Sequence, residues 1–377
     1  MADLTVNGLT KHYGKTVGID DVSLDIADGE FFVILGPSGA GKTTTLKSIA
    51  GLVQVDSGTV HIGGADMTMV EPYHRNVAMA FESYALYPQQ TVAQNLSSPL
   101  RSGRTGKYSA AQQQERVDAV TVTLGIDHLQ QRFPRELSNG QRQRVALGRV
   151  LIRPADVYLL DEPLSHLDAK LRAAMRAELR ELGRMSNTTT VYVTHDYQEA
   201  LALGDRIAIL RDGKLVQVDT PEAIWRKPVD TFVAKALGQP EINIVDAIVD
   251  GSALRVAGSS IEIPVPPELG LGTGRGVRLG IRPCDITLAA VASTAPGMAN
   301  LTGVITLTER LGRSIEVSVD IGETSLIALS PGGPHIREGA TVVVTVPLAD
   351  VLIFEAGERG SDSLRLGAAA SNSQERR

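Results

Sequence analysis

The run Gly36-Pro37-Ser38-Gly39-Ala40-Gly41-Lys42-Thr43 has the spacing G-x-x-x-x-G-K-[ST] in full. Residues of these types in this order suit the holding of phosphate. Glycines let the backbone curl until its N–H groups converge on phosphate oxygens, and a following helix adds partial positive charge at its N-terminus. The Lys42 ammonium can reach the outer phosphates of a nucleotide, and the Thr43 hydroxyl is a hard oxygen ligand for Mg²⁺. A glycine-rich turn that binds nothing has a similar composition. Context separates the two. The apolar run Phe31-Phe32-Val33-Ile34-Leu35 precedes the glycines, and the helix-like run Thr44-Thr45-Leu46-Lys47-Ser48-Ile49 follows them, as a phosphate loop requires.

Asp161-Glu162-Pro163 ends another apolar run, Val157-Tyr158-Leu159-Leu160. An aspartate at a strand tip can hold Mg²⁺ through water, and the adjacent glutamate can polarise a water attacking the last phosphate. Alone, the acidic pair could equally cap a following helix. Beside a phosphate loop the chemical reading is favoured. Upstream, Leu137-Ser138-Asn139-Gly140-Gln141 opens a helical pattern with serine at the cap position.

These residues need rigid supports. Phe31–Leu35, Val157–Leu160 and Thr190–Val193 read as buried strands. Leu171, Met175, Leu179 and Leu182 form one apolar stripe at helical spacing. Strands alternating with helices up to about residue 235 imply an α/β layered domain with a largely parallel sheet. Residues near 100–135, richer in Gln, Ser and charge, read as a separate helical insertion. After Gly238 the pattern changes to period two, as in Ile315-Glu316-Val317-Ser318-Val319 and Thr341-Val342-Val343-Val344-Thr345-Val346. That implies a small all-β barrel or sandwich. From Gly357 onward the chain is polar and rich in small residues, and a disordered tail is expected.

The phosphate loop, Ser138–Gln141 and Asp161-Glu162, in that order, resemble an ATP-binding-cassette (ABC) ATPase. The resemblance implies an α/β P-loop domain with a helical subdomain. It implies ATP as substrate, held by Gly36 to Thr44, and Mg²⁺ held by Thr43, Asp161 and the residue at Glu82. Tyr13 matches the aromatic that stacks on adenine, a reading favoured over an ordinary strand-edge tyrosine. His195 matches the switch histidine, which would hydrogen-bond the last phosphate and position the attacking water. Asp168 matches the loop that crosses a dimer interface. Ser138, Asn139, Gly140 and Gln141 would close over ATP held by a second subunit.

The chain departs from that family in places. Glutamine is usual where Glu82 stands; a carboxylate is still a hard donor but adds charge beside the triphosphate. That implies stronger Mg²⁺ dependence of nucleotide binding. Glycine is usual where Asn139 stands. Asn tolerates positive φ better than most residues, so the loop is expected to persist.

Tyr84-Ala85-Leu86-Tyr87-Pro88, Leu164-Ser165-His166-Leu167-Asp168-Ala169-Lys170-Leu171-Arg172, Gly280-Ile281-Arg282-Pro283 and Glu309-Arg310-Leu311-Gly312 narrow the resemblance. They are similar to the maltose-type branch of importer ATPases, which serve sugars and related polyols. That branch usually has glutamate where Cys284 sits and histidine where Gln89 sits. It implies a nucleotide-binding domain over 1–237, with the helical insertion at about 88–150. An all-β, OB-fold-like regulatory domain follows over 238–356, then a tail over 357–377. It also implies a homodimer, or a heterodimer with a sister ATPase. Two transmembrane permease subunits would dock at Ser83, Tyr84, Ala85, Leu86, Tyr87 and Pro88. An extracytoplasmic solute-binding protein would deliver the solute, and the chain would lie on the cytoplasmic face of the plasma membrane. Importers of glycerol phosphate, polyamines or inorganic anions share the plan.

Composition trims the alternatives. Lys and Arg number 37 against 43 Asp and Glu, for a net charge of −6, which disfavours a nucleic-acid-coating protein. The one cysteine, Cys284, forbids an internal disulfide framework. No run approaches the ~18 apolar residues of a membrane span, and no secretory signal is expected. A soluble cassette ATPase would show paired cassettes or a basic patch. An exporter ATPase would not carry the all-β appendage.

Overall fold

The structure is a computed structural model that describes residues 2–81, 86–101, 108–165, 167–186, 188–312, 314–333, 336–357 and 361–369. The chain divides into two compact units, Met1–Pro221 and Glu222–Arg377.

In the first unit, β1 (Leu4–Tyr13), β2 (Thr16–Ile26), β4 (Ser57–Ile62) and β5 (Ala65–Asp66) form an antiparallel sheet ordered β2-β1-β4-β5. The second sheet contains β3 (Phe31–Leu35), β6 (Val77–Ala80), β7 (Val157–Asp161), β8 (Thr189–Thr194), β9 (Arg206–Arg211) and β10 (Lys214–Asp219). Its order is β10-β9-β3-β8-β7-β6. All of its pairings are parallel except β9 with β10. Every residue of β3, β7 and β8 is buried, as a strand covered on both faces requires. Ile34, Leu46, Leu159, Val193 and Ala208 belong to the core between the sheets.

The helices are α1 (Lys42–Ile49), α2 (Val92–Arg101), α3 (Ala110–Thr123), α4 (Asn139–Leu151), α5 (Ala169–Ser186) and α6 (Tyr197–Leu203). In α5 the side chains of Met175 and Leu179 are buried and Leu171 is half-buried; that of Leu182 lies outside the described residues. The insertion consists of α2, α3 and α4, and a glycine lets them approach. A Cβ on Gly148 would lie 2.8 Å from Leu96 Cδ2 and 3.0 Å from Leu124 Cδ1. Among the described residues no helix is long and apolar enough to cross a membrane.

The second unit opens with α7, which starts at the boundary (Pro221–Arg226), and α8 (Thr231–Ala236). Composition placed this boundary near Gly238, but packing moves it earlier. Buried Arg282 donates to the carbonyls of Trp225 (2.8 Å) and Leu237 (2.9 Å) and stacks 3.9 Å from the Trp225 ring centroid. These bonds fasten both short helices to the β-structure.

That β-structure comprises two antiparallel sheets. The first contains β11 (Asn243–Asp250), β12 (Ala253–Arg255), β13 (Glu262–Pro264), β14 (Gly276–Ile281), β20 (Leu352–Glu355) and β21 (Arg365–Ala368), ordered β13-β12-β11-β14-β20-β21. The second contains β15 (Thr287–Ala289), β16 (Met298–Leu311), β17 (Ser314–Ile321), β18 (Thr324–Ser330) and β19 (Thr341–Pro347), ordered β15-β19-β16-β17-β18. Leu279, Ile281, Val317, Val344 and Ile353 share one core.

The expected disordered tail is corrected at its start. β21 pairs with β20. Arg278 donates to the carbonyls of Gly357 and Ser361 at 2.7 Å each and to Ser363 Oγ at 2.9 Å. Backbone pairing and one buried guanidinium fix a segment too polar to announce itself by hydrophobicity. Residues 358–360 and 370–377 lie outside the described residues.

Candidate nucleotide site

β3 ends at Leu35 and α1 begins at Lys42, with Gly36–Gly41 turning between them. Pro37, Ser38 and Gly39 are exposed, while Gly36 and Ala40 are buried. Gly41 has φ +100°, and a Cβ there would lie 2.5 Å from Gly18 O. One on Gly36 would lie 2.6 Å from Leu210 O. Two neighbouring segments therefore press on the loop and hold its curl. Lys42 is buried, and its ammonium donates to Gly36 O (2.9 Å) and Pro37 O (3.0 Å).

β7 delivers the acidic pair to the same place. Thr43 donates its hydroxyl to Asp161 Oδ1 at 3.0 Å, and Asp161 is buried at the strand's end. Two hard oxygen donors converging beside a phosphate loop fit Mg²⁺. Glu162 turns out of the strand in the left-handed region, with φ +46°. A non-glycine residue there carries strain of ~1–2 kcal/mol. Its neighbours hold it: Glu162 N donates to Val193 O at 3.0 Å, and Ser165 Oγ donates to Glu162 O at 3.0 Å.

The Glu162 carboxylate spans the Lys42 ammonium and the His195 imidazole. Oε1 lies 3.6 Å from Lys42 Nζ, and Oε2 lies 2.9 Å from His195 Nδ1. His195 is itself exposed and follows β8 directly. Asp196 caps α6 by accepting from Gln198 N at 2.8 Å. The roles of two groups in this region escaped the sequence reading. Glu199 is buried and accepts hydroxyl bonds from Tyr192 and Thr194 at 2.8 Å each. Burial pushes its carboxyl above the ordinary 4.5, although the two hydroxyls and Arg172 oppose that shift. The spacing Asp196-x-x-Glu199 is that of a capping box and could have flagged it. The other is Arg172, whose reach to Asp196 at 3.1 Å no local signal reveals.

The remaining expected residues stand apart from this cluster or border it. Tyr13, at the end of β1, is exposed, with Lys11 Nζ 5.8 Å from its ring centroid. A Cβ on Gly18 would meet Tyr13 Cε2 at 2.8 Å and Thr44 Cγ2 at 3.2 Å, so the ring flanks the start of α1. Ser138 and Gln141 bond each other in a capping box that opens α4. Asn139 is the first residue of that helix and takes no positive φ. The expectation that Asn serves there by tolerating left-handed backbone is corrected. Gly140 faces Leu167, which a Cβ would meet at 3.1 Å. Asp168 caps α5, accepting from Leu171 N at 2.9 Å.

Glu82, Ser83, Tyr84 and Ala85 lie outside the described residues, and Leu86 to Pro88 lie within them. Tyr87 is exposed, its ring covered by the Arg149 guanidinium 4.7 Å from the centroid. Nearby, Val77 to Phe81, Pro99, Arg149 and Arg153 line a groove of about 210 Å³.

Comparison with known proteins agrees with this layout. Residues 19–165 match the ABC transporter family and residues 279–354 the TOBE domain. The chain is 42% identical to the trehalose/maltose import ATP-binding protein MalK of Thermococcus litoralis, over 94% of this chain and 98% of that protein. It is 40% identical to the xylose/arabinose import ATP-binding protein XacJ of Haloferax volcanii, over 94% of each. It is also 40% identical to the sn-glycerol-3-phosphate import ATP-binding protein UgpC of Cereibacter sphaeroides, over 94% of this chain and 98% of that protein. A dimeric structure of the ATP-binding cassette MJ0796 bound to ADP and Pi superposes with a TM-score of 0.54 at 28% identity. It covers 58% of this chain and 98% of that one. With a phosphate loop, an acidic strand tip and a histidine joined as described, the chain belongs to the ABC transporter family, as an import ATP-binding subunit that hydrolyses ATP.

Proposed function

We propose that the chain energises uptake of a carbohydrate or polyol through separate permease subunits. The observation that carries the catalytic part is the convergence of Lys42, Thr43, Asp161, Glu162 and His195 through direct contacts. Gly36 to Thr44 cradle the phosphates of ATP, and Tyr13 stacks on its adenine. Glu162 accepts the proton of the water that attacks the last phosphate, and His195 fixes the carboxylate's direction. Thr43 and Asp161 would hold Mg²⁺ together with Glu82. Bound there, the ion neutralises phosphate charge.

Ser138, Asn139, Gly140 and Gln141 of one cassette complete the site of a second, with Asp168 at their junction. A homodimer suffices, because this chain carries both halves; a sister ATPase could take one place. Ser83 to Pro88 receive two transmembrane permease subunits, with the cassettes on the cytoplasmic face of the membrane. A solute-binding protein delivers the cargo outside. What supports a carbohydrate is the likeness to MalK and XacJ. The equal likeness to glycerol-3-phosphate import proteins favours a second reading, a phosphorylated polyol.

The deciding experiment is mild-detergent purification of the tagged protein from its native membrane, with mass spectrometry of what stays bound. Polytopic permeases support the proposal, and their sequences narrow the solute. A second cassette ATPase in equal amount replaces the homodimer. Soluble partners without any permease sink the transport reading.

A further inference from the structure

One turn into α5, Arg172 sends its guanidinium back over the loop that precedes the helix. Nη2 donates to Leu167 O at 3.1 Å, and the Arg172 backbone N–H donates to Asp168 O at 2.8 Å. The same guanidinium reaches a second loop: Nη1 donates to Asp196 Oδ2 at 3.1 Å, and Nε lies 3.9 Å from Glu199 Oε1. Arg172 thus holds Asp196, on one side of His195, and hydrogen bonds link it to Thr194 on the other. Asp196 N donates to Thr194 Oγ1 at 3.0 Å, and Thr194 Oγ1 donates to Glu199 Oε2 at 2.8 Å. His195 itself lies 2.9 Å from Glu162.

We infer that Arg172 is a positioning residue that ties the Asp168 loop to the His195 loop, so that displacement of the first redirects Glu162 through the second. The inference rests on the reading of Glu162 and His195 as the catalytic pair. Arginine suits this task because its planar fork serves a carbonyl and a carboxylate at once. A lysine carries all its donors on one nitrogen at the end of a flexible stem and lacks the fork's fixed spread between two acceptors. The tie is geometric more than electrostatic, since the Arg172 side chain keeps 30% exposure and its charge is partly screened. Where Asp168 meets a second cassette, the tie transmits that meeting to the proton acceptor.

The test uses the purified full-length chain and steady-state ATP hydrolysis, with kcat and KM read separately. Arg172→Lys should melt with the parent, keep its KM for ATP and lose about 10- to 100-fold in kcat, the loss expected when a reacting group is misaimed. In the His195→Ala background, Arg172→Lys should add no further loss, because the two residues act in series. Arg172→Met, which also removes the charge beside Glu199, should follow the same pattern at lower melting temperature. Losses that multiply in the double variant overturn the inference, as does parental kcat in Arg172→Lys. If His195→Ala alone turns over at the parental rate, the catalytic reading of His195 fails and the inference falls with it.

Discussion

One oxygen of Glu162 lies 2.9 Å from His195 Nδ1, and the other lies 3.6 Å from Lys42 Nζ. The carboxylate is thus aimed by two groups on different elements, one from the strand tip of β8 and one from the first residue of α1. Its left-handed backbone lifts it out of the β7 line so that both can reach it. A group so oriented and so strained is built to act at one point in space.

Glu162→Gln keeps the size and one acceptor oxygen but cannot take a proton. Turnover should fall by about 10²- to 10⁴-fold, while ATP binding measured by equilibrium titration stays within a few-fold of the parent. A variant with near-parental hydrolysis would remove Glu162 from the proposed mechanism.

The phosphate loop tolerates no side chain at Gly41. Gly41→Ala would press a Cβ to 2.5 Å from Gly18 O on a backbone of φ +100°. The strain, of order 1–3 kcal/mol, should lower the melting temperature by several degrees and abolish saturable ATP binding. Gly14→Ala, at φ +63° with nothing within 4 Å, is the control. It should melt slightly lower yet still bind nucleotide.

Glu199 should give stability a pH dependence whose sign follows from its buried carboxyl. Its carboxyl stands above the ordinary 4.5 because burial disfavours the charged form. Below 4.5 it is protonated in both states. As pH rises past that value the unfolded chain releases its proton first, so this contribution to stability falls until the folded group ionises as well. Glu199→Gln has no such proton. The melting temperature of the variant minus that of the parent should therefore rise with pH across this window. A difference that falls would mean that Arg172 outweighs burial.

Cys284 is exposed, yet desolvation of its sulfur and the Asp285 carboxylate 3.5 Å away push the thiol up to about 11. The thiolate is the reactive form, and a free cysteine stands near 8.5. Alkylation of the folded chain at pH 8 should be slower than in denaturant by about 100-fold. With a single cysteine in the chain, one labelling curve reads it directly. Equal rates would show that the sulfur is fully solvated.

The parts of the site that were legible in the sequence are those encoded over short distances. Gly36 to Thr43, Asp161-Glu162 and the cap at Ser138 each lie within one turn or strand end, and apolar flanks mark them. What escaped needs the third dimension. Nothing beside Arg172 says that it folds back to Asp196, and nothing beside Glu162 announces a positive φ. Asn139 misled because a glycine substitute suggests left-handed backbone, whereas the residue simply begins a helix. The β-unit was readable where strands alternate, as at Ile315–Val319, and unreadable at Arg365–Ala368. There the ordering comes from pairing with β20 and from Arg278 rather than from buried side chains.

The position of β3 between β8 and β9 sets a timetable for making the protein. Phe31–Leu35 is apolar throughout and is translated before its partners in register, which run from Thr190 to Thr194 and from Arg206 to Ile209. At ~5–20 residues per second of synthesis, the strand beneath the phosphate loop waits on the order of 10 s or more for its neighbours. Through that interval β3 lacks both neighbours of its native sheet, and the nucleotide site is incomplete. ATP can therefore stabilise the cassette only after the strands on both sides of β3 have been translated.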